Sequence, residues 1–254
     1  MKKSIILALL LLFQLGCSST LLLSPQPYEG QEQIYKEGIQ TILSAKNSLV
    51  AVRPAFNQYQ SNQRPRFVVS VLNGTDTPYD FSVENVRVTV DGFEHKVFTY
   101  EELVAEIKSN QMWAAIGAAL NSMSRSMQAQ QAGTTYHTGA VNSTVNNSYG
   151  QNLGTINSSY SGYSYNYAAV QQAQAANNAQ TQTEMANIRN NAEMALNNLS
   201  STILKRNTVL PQQTQGGYIV IDELDNLKVP HEILIKIILN DEEHIFRFNH
   251  RMLQ

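Results

Sequence analysis

Two polar clusters near the carboxyl end of the chain have residue types that metal binding or acid–base chemistry would require. His231-Glu232 begins a predicted strand and lacks the second histidine, four residues on, that a zinc-binding helix supplies. In Asp241-Glu242-Glu243-His244, the histidine shares a strand face with two phenylalanines, which favours a packed histidine over a metal ligand. Asp222–Asn226 lacks the spacing of a calcium loop. We therefore predict no catalytic residue, no metal site and no cofactor, and a protein that is not an enzyme.

Aromatic and hydroxyl side chains, which can recognise a binding partner, are concentrated in residues 134–167. This segment is nearly all Thr, Ser, Asn, Gly and Tyr, and it is similar in composition to binding loops, where Tyr gives rigid contact area and the small polar residues give adaptable hydrogen bonds. Two alternatives stay open: a flexible low-complexity connector, or a self-associating β segment. The candidate interaction residues are Tyr136, Tyr149, Tyr160, Tyr163, Tyr165 and Tyr167.

The charge of the chain is low and unevenly distributed. Only 15% of the 254 residues are charged, and the 58 residues from Ser126 to Thr183 contain no Asp, Glu, Lys or Arg. The balance of 18 Lys and Arg against 20 Asp and Glu, without a basic block, predicts no nucleic-acid partner. With 43% apolar residues the chain can build a core, and its single cysteine excludes a disulfide framework.

The first residues have the pattern of a secretory signal. Met1-Lys2-Lys3 is a short positive region, and Ile5–Phe13 is an aliphatic run too short for a membrane span, which needs roughly 20 residues. The run ends in Gln14-Leu15-Gly16-Cys17, which resembles the lipobox of bacterial lipoproteins. The resemblance implies cleavage before Cys17, acylation of that cysteine by palmitate-type chains, and a lipid anchor in the cell envelope. A serine after the cysteine, here Ser18, resembles the pattern of lipoproteins that are sorted to the outer membrane in diderm bacteria. The sequence leaves open whether the protein faces the periplasm or the cell surface.

Strand patterns occur on both sides of a long middle segment. Before it, a tether (17–28) precedes a predicted amphipathic helix over Glu29–Lys46, and strands follow over 48–53, 66–73, 82–90 and 93–98. After it, strands are predicted over 217–222, 232–240 and 243–248. Because neither half alone could close two sheets and protect its edges, we predict one sandwich split by an insertion. Asn73-Gly74 and Asp91-Gly92 are turn signals, and Asn73-Gly74-Thr75 with Asp91-Gly92 loosely resembles immunoglobulin-like envelope domains.

The insertion has the pattern of a helical hairpin. Thr99 and Glu102 form a capping box before a helix that runs to about Gln131. A return helix is predicted from about Ala168 to Arg206, and both helices carry apolar residues at steps of three and four. We expect the hairpin to project from the sandwich; the alternative is that it lies against the sheet. The apolar stripe of the first helix is Leu103, Ile107, Ala114, Ile116, Leu120, Met123 and Met127, and that of the second is Met185, Ile188, Ala192, Leu196, Leu199 and Ile203.

The predicted fold class is therefore α+β, an immunoglobulin-like β-sandwich split by a long inserted α-helical hairpin. The predicted segments are a signal peptide (1–16), the tether (17–28), a helix and first half-sandwich (29–99), the inserted hairpin (100–206) with its tip (134–167), and the second half-sandwich (207–254).

The expected function is a non-catalytic, lipid-anchored envelope protein that binds a partner through the hairpin. The expected partners are the membrane, through lipidated Cys17, and an envelope protein, peptidoglycan or a glycan. Two alternatives remain: a membrane-active or self-assembling hairpin that forms a homo-oligomer, and an unrecognised envelope enzyme.

Overall fold

The computed structural model describes residues 19–146 and 148–253. The predicted signal peptide and Cys17 lie outside the described residues. The chain is α+β, with mostly antiparallel sheets and two long helices. It divides into two compact units. The β unit holds the described residues up to Ala105 together with those from Asn197 onward, and the inserted unit is Glu106–Leu196.

The helices and strands follow one another along the described chain, with one short 3-10 helix at Val83–Asn85. Their bounds are β1 Thr20–Gln26, β2 Glu32–Lys36, β3 Ile39–Ala45, β4 Leu49–Pro54, β5 Gln58–Gln60, β6 Arg66–Leu72, β7 Tyr79–Phe81, β8 Val86–Val90, β9 Phe93–His95, α1 Tyr100–Ala132, β10 Thr134–Asn146, β11 Asn152–Tyr165, α2 Tyr167–Thr202, β12 Asn207–Val209, β13 Thr214–Val220, β14 His231–Leu239 and β15 Glu242–Met252.

Each sheet of the β unit contains strands from before and from after the insertion. A six-stranded sheet has the order β5-β1-β15-β14-β8-β9, and a five-stranded sheet has the order β13-β6-β4-β3-β2. β12 pairs with β7 in a two-stranded sheet. Because β15 pairs with β1, β14 with β8 and β13 with β6, the two halves of the chain form one β unit around the insertion.

The core of the β unit lies between its two large sheets. Ile233, Ile235 and Ile237 of β14 are fully buried, as their alternation predicts, and each contributes roughly 1.5–3 kcal/mol of burial free energy. Phe67 of β6 packs its ring against Phe248 of β15, with centroids 4.9 Å apart. A single cluster of buried residues includes both rings and all three isoleucines, so the two sheets share one core.

The predicted helix over 29–46 is wrong, because this segment forms the β2–β3 hairpin. Glu37 and Gly38 both have positive φ, 55° and 76°. Two successive positive φ angles are typical of a two-residue hairpin turn, whose twist matches the twist of the flanking strands. Ile34, Ile39 and Ile42 fit a helical face as well as a strand, so their spacing alone does not distinguish the two structures. The β-branched residues and the turn at Gly38 are the signals that favour the hairpin.

The predicted tether is also partly wrong, because β1 begins at Thr20 and pairs along its length with β15. Leu21 and Leu23 are buried and belong to the core. Pro25 is tolerated in this strand because β5 pairs only with Thr20–Leu22. At Pro25 the β5 side of β1 has no neighbouring strand, so the N–H that proline lacks would have no partner there.

Candidate interaction surface on the β10–β11 hairpin

β10 and β11 form a long antiparallel hairpin within the inserted unit. Their pairing runs from Thr134 opposite Tyr165 to Asn146 opposite Asn152, with a register shift at Val145/Asn146. Residues 134–167, which resemble binding loops in composition, therefore form paired strands over most of their length. The strand reading was one of the open alternatives, and its physical basis is the period-two alternation of Tyr, Val and Thr with smaller residues. Self-association of the hairpin stays a prediction.

The hairpin brings four of the six candidate tyrosines together near its base. Tyr136 lies directly opposite Tyr163, and their ring centroids are 4.9 Å apart. Tyr165 lies on the same face as Tyr163, and its ring is 6.3 Å from that of Tyr167, the first residue of α2. These four side chains are between 56% and 76% exposed. They form an aromatic surface presented to solvent, which we call the tyrosine patch.

The other two candidate tyrosines lie apart from this patch. Tyr160 points to the opposite face of the hairpin, where its ring crosses to Gly139 on β10. A Cβ at Gly139 would lie 2.3 Å from the Tyr160 ring, so the glycine provides the space that the ring occupies. Tyr149, 90% exposed, lies in the turn at the far end. The six tyrosines thus form one patch of four and two separate positions.

Hydroxyl and amide groups surround the tyrosine patch on an uncharged surface. No Asp, Glu, Lys or Arg occurs between Ser126 and Thr183, and on the opposite face the imidazole of His137 is hydrogen-bonded to the Ser164 hydroxyl at 2.6 Å. By the alternation of the strands, one face carries the tyrosine patch with short polar side chains. These are Thr134, Thr138, Asn142, Thr144, Thr155, Asn157, Ser159 and Ser161. Such a face can stack on a ligand ring or apolar surface and exchange hydrogen bonds at its rim.

The base of the hairpin is held in place by close contacts with the helices of the same unit. The Asn166 N–H donates to the Gly133 carbonyl at 2.7 Å, and the Asn166 side-chain oxygen accepts from the Ala169 N–H at 3.2 Å, capping α2. A Cβ at Gly133 would lie 2.3 Å from Val170 and 2.9 Å from the Asn166 carbonyl oxygen. Glycine is therefore required where α1 passes into β10.

A hydrogen-bonded network, which was not predicted from the sequence, joins the two helices of the inserted unit. Arg125 donates to both carboxylate oxygens of Glu184, at 3.2 and 3.0 Å, and to the Asn177 side-chain oxygen at 2.9 Å. Asn177 is buried and donates to Ser122 and Ser126 of α1. The hydrogen bond from Arg125 lowers the pKa of Glu184. The available signal was that Arg125 is the only charged residue between Lys108 and Glu184.

The histidines of the β unit are placed as packing residues. His244, buried, is hydrogen-bonded to Ser44 at 2.9 Å and to Glu242 at 3.3 Å, and burial lowers its pKa. His231 is hydrogen-bonded to Asp91 at 2.7 Å. Burial opposes protonation of His231, but the hydrogen bonds to Asp91 and to the Asn226 carbonyl outweigh it, so its pKa is raised. Among the residues that the structure describes, no group of three or more His, Cys, Asp or Glu side chains could hold a metal ion.

An open cleft of about 530 Å³ lies in the β unit beside the start of α1. Three of its charged side chains have partners within the chain, because Arg206 pairs with Glu84 and Lys205 lies over the Tyr100 ring at 4.5 Å. Most of the charged groups that line the cleft therefore already interact with one another or with Tyr100. In the described chain, no helix combines the length and the apolar character needed to span a membrane.

Comparisons of the chain with protein-family models, with curated proteins and with solved structures found no match.

Proposed function

We propose that this protein is a non-catalytic, lipid-anchored protein of the bacterial cell envelope that binds a partner through the β10–β11 hairpin. The observation that carries the proposal is the tyrosine patch, four exposed aromatic side chains on an uncharged face. The β unit serves as the scaffold, and we assign its two sheets to an immunoglobulin-like sandwich. An outer-membrane location, in a diderm bacterium, follows from the residue after Cys17.

The lipid anchor rests on the lipobox-like sequence that ends at Cys17. Two or three acyl chains give stable membrane attachment, whereas one chain is marginal. Metabolic labelling with a palmitate analogue is expected to mark the wild-type protein and not the Cys17→Ser variant. Equal labelling of both proteins would refute this part of the proposal.

The physical character of the tyrosine patch favours a partner with a flat surface. Tyrosines lose little conformational entropy on binding and are enriched among the residues that dominate interface energetics. The absence of charge between Ser126 and Thr183 removes long-range electrostatic selection, so stacking and short hydrogen bonds have to provide recognition. A glycan, peptidoglycan or the surface of another envelope protein offers these complementary groups.

Removal of the hairpin tests the proposal, and the structure indicates how to make the deletion. Because Gly133 and Asn166 are joined by a hydrogen bond of 2.7 Å, residues 134–165 can be replaced by a short glycine-containing turn without separating α1 from α2. The shortened protein is expected to fold and to lose partner capture from envelope extracts. Retained capture by the shortened protein would show that the hairpin is only a connector.

Point variants separate the aromatic rings from the strands that carry them. The double variant Tyr136→Ser/Tyr163→Ser removes the paired rings, and we expect at least about a tenfold loss of affinity for the captured partner. The control is Tyr160→Ser, which removes an exposed ring from the opposite face of the hairpin and is expected to bind within about twofold of wild type.

A membrane-active or self-assembling hairpin is the second candidate function, favoured by the same lack of charge. Amide side chains are abundant in residues 168–183, and burying each without a partner in hydrocarbon is costly. Flotation of the unacylated Cys17→Ser protein with liposomes tests the membrane-active alternative, because the binding function predicts that this variant does not float.

A further inference from the structure

Helix α1 presents a row of large apolar side chains to solvent. Trp113, Ile116, Leu120, Met123 and Met127 follow one another at steps of three and four residues, the spacing of a coiled-coil seam. Each of these five side chains is at least 42% exposed, and the adjacent Met112 is 55% exposed. We call these six residues the α1 stripe. The apolar stripe predicted for this helix includes Ile116, Leu120, Met123 and Met127, and the structure leaves all four side chains exposed.

Helix α2 meets a different face of α1. Ala118 and Ala129 are buried, and Ser122, Ser126 and Arg125 bond to α2. At about 100° per residue, these positions lie on the side of the helix opposite the α1 stripe. Small and polar residues thus form the seam between the two helices of the insertion, while the larger apolar residues of α1 face away from it.

Three properties of the α1 stripe suit a second helix. Its six side chains expose on the order of 600 Å², close to the roughly 800 Å² that each partner contributes to a standard interface. Gly117, on the edge of the stripe, has nothing within 4 Å of the position a Cβ would take, although glycine inside a helix costs about 1 kcal/mol relative to alanine. Residues 109–124 carry no charge that would repel another copy.

We infer that α1 associates with α1 of a second copy of this chain, stripe against stripe. The spacing of the stripe fits a partner helix of the same period, and an identical copy supplies one, as a two-fold symmetric interface requires. A lipid surface suits this helix less well, because amphipathic helices that lie on membranes carry several Lys and Arg on their polar face, whereas the span of the stripe has only Arg125, which is paired with Glu184. The inference is independent of the tyrosine patch and of the lipid anchor.

The single tryptophan of the chain, Trp113, lies in the stripe and reports directly on its burial. The unacylated protein, residues 17–254 with Cys17→Ser, is studied over a range of protein concentrations by light scattering and by tryptophan emission. The inference predicts a change from monomer to dimer mass with increasing concentration, and a shift of emission to shorter wavelength over the same range. A protein that stays monomeric with unchanged emission would overturn it.

Two neighbouring substitutions provide the matched comparison. Leu120→Glu places a charge at the centre of the stripe, and Asn121→Glu places the same charge on an exposed position about 100° round the helix. We expect Leu120→Glu to weaken dimerisation at least about tenfold and Asn121→Glu to change it less than about twofold. Equal effects of the two charges would contradict the inference.

A cysteine variant tests the same contact without adding a charge. Leu120 is the middle residue of the stripe, so the two copies of residue 120 lie close together in a parallel or an antiparallel pair. In the Cys17→Ser background, Leu120→Cys is expected to form an intermolecular disulfide and Asn121→Cys to form little. Failure of Leu120→Cys to cross-link overturns the inference. It is also overturned if the protein stays monomeric and its Trp113 emission shifts only when phosphatidylethanolamine–phosphatidylglycerol vesicles are added, because a lipid surface would then cover the stripe.

Discussion

The stability of the β unit is expected to fall between neutral and mildly acidic pH because of one buried histidine. His250 of β15 is fully buried opposite Leu23 of β1 and His231 of β14. Within the described chain, neither nitrogen of the His250 ring has a hydrogen-bond partner. The pKa of His250 is lowered to about 4, mainly by burial; the nearby His231, with ring centroids 5.6 Å apart, contributes to the lowering, and Asp91 opposes it.

The sign and size of the effect follow from proton linkage. The unfolded chain takes up this proton near pH 6.5 and the folded protein only near pH 4, so stability is full above about pH 6.5 and falls as the pH drops towards 4. The difference corresponds to about 3 kcal/mol at pH 4 and to about 2.5 kcal/mol at pH 4.5. His231 acts in the opposite direction, because its raised pKa stabilises the fold below about pH 6.5.

A comparison with His250→Leu isolates this contribution, because the variant keeps His231, Asp91 and His244. Urea unfolding followed by circular dichroism at pH 7.5 and 4.5 gives the loss of stability for each protein. Wild type is expected to lose about 2.5 kcal/mol more than His250→Leu, and the variant is expected to be at least as stable as wild type at pH 7.5, since it buries no unpaired nitrogen. Losses that agree within about 0.5 kcal/mol would refute the reasoning.

The remaining predictions concern the inserted unit and are measured by unfolding followed by circular dichroism at 222 nm. Gly133→Ala is expected to destabilise this unit by about 1–3 kcal/mol because its Cβ would overlap Val170, whereas Gly117→Ala is expected to stabilise it by about 0.5–1 kcal/mol. Equal shifts for the two glycines would contradict the close packing at the hairpin base. Asn177→Ala is expected to lower the free energy of unfolding by about 2–3 kcal/mol because its hydrogen bonds are lost. Substitution of its exposed neighbour, Asn178→Ala, is expected to lower it by less than about 0.5 kcal/mol. Similar losses for the two variants would show that the network contributes little.

The parts of the fold that local chemistry determines were predicted from the sequence. Thr99 and Glu102 exchange the two hydrogen bonds of a capping box, at 3.2 and 2.9 Å, and α1 begins at the next residue after Thr99. Asp91 and Gly92 both have positive φ, 50° and 84°, at the turn between β8 and β9. In these cases the signal lies within a few residues, so the sequence is sufficient.

The errors came where two periodicities fit the same residues or where packing decides. Apolar residues at 34, 39 and 42 suit a helix and a strand equally, and only the turn at Gly38 distinguishes them. The residues of the α1 stripe were correctly predicted to lie on a helix. The face of α1 that meets α2 is determined by hydrogen bonds of Arg125 and Asn177 to residues more than 50 positions away, which local sequence patterns do not reveal. The tyrosines were identified from composition, while their division into a patch of four and two separate positions required the strand register.

The most direct test of the proposed function is a photo-crosslink from the tyrosine patch to its partner in the intact cell envelope. A benzophenone amino acid is placed at Tyr163, 76% exposed, or as a control at Phe93 of the β unit, 78% exposed. The proposal predicts that Tyr163 yields a specific crosslinked partner, that Tyr136→Ser reduces the yield, and that Phe93 does not capture it. Capture of the same partner from Phe93 but not from Tyr163 would contradict it.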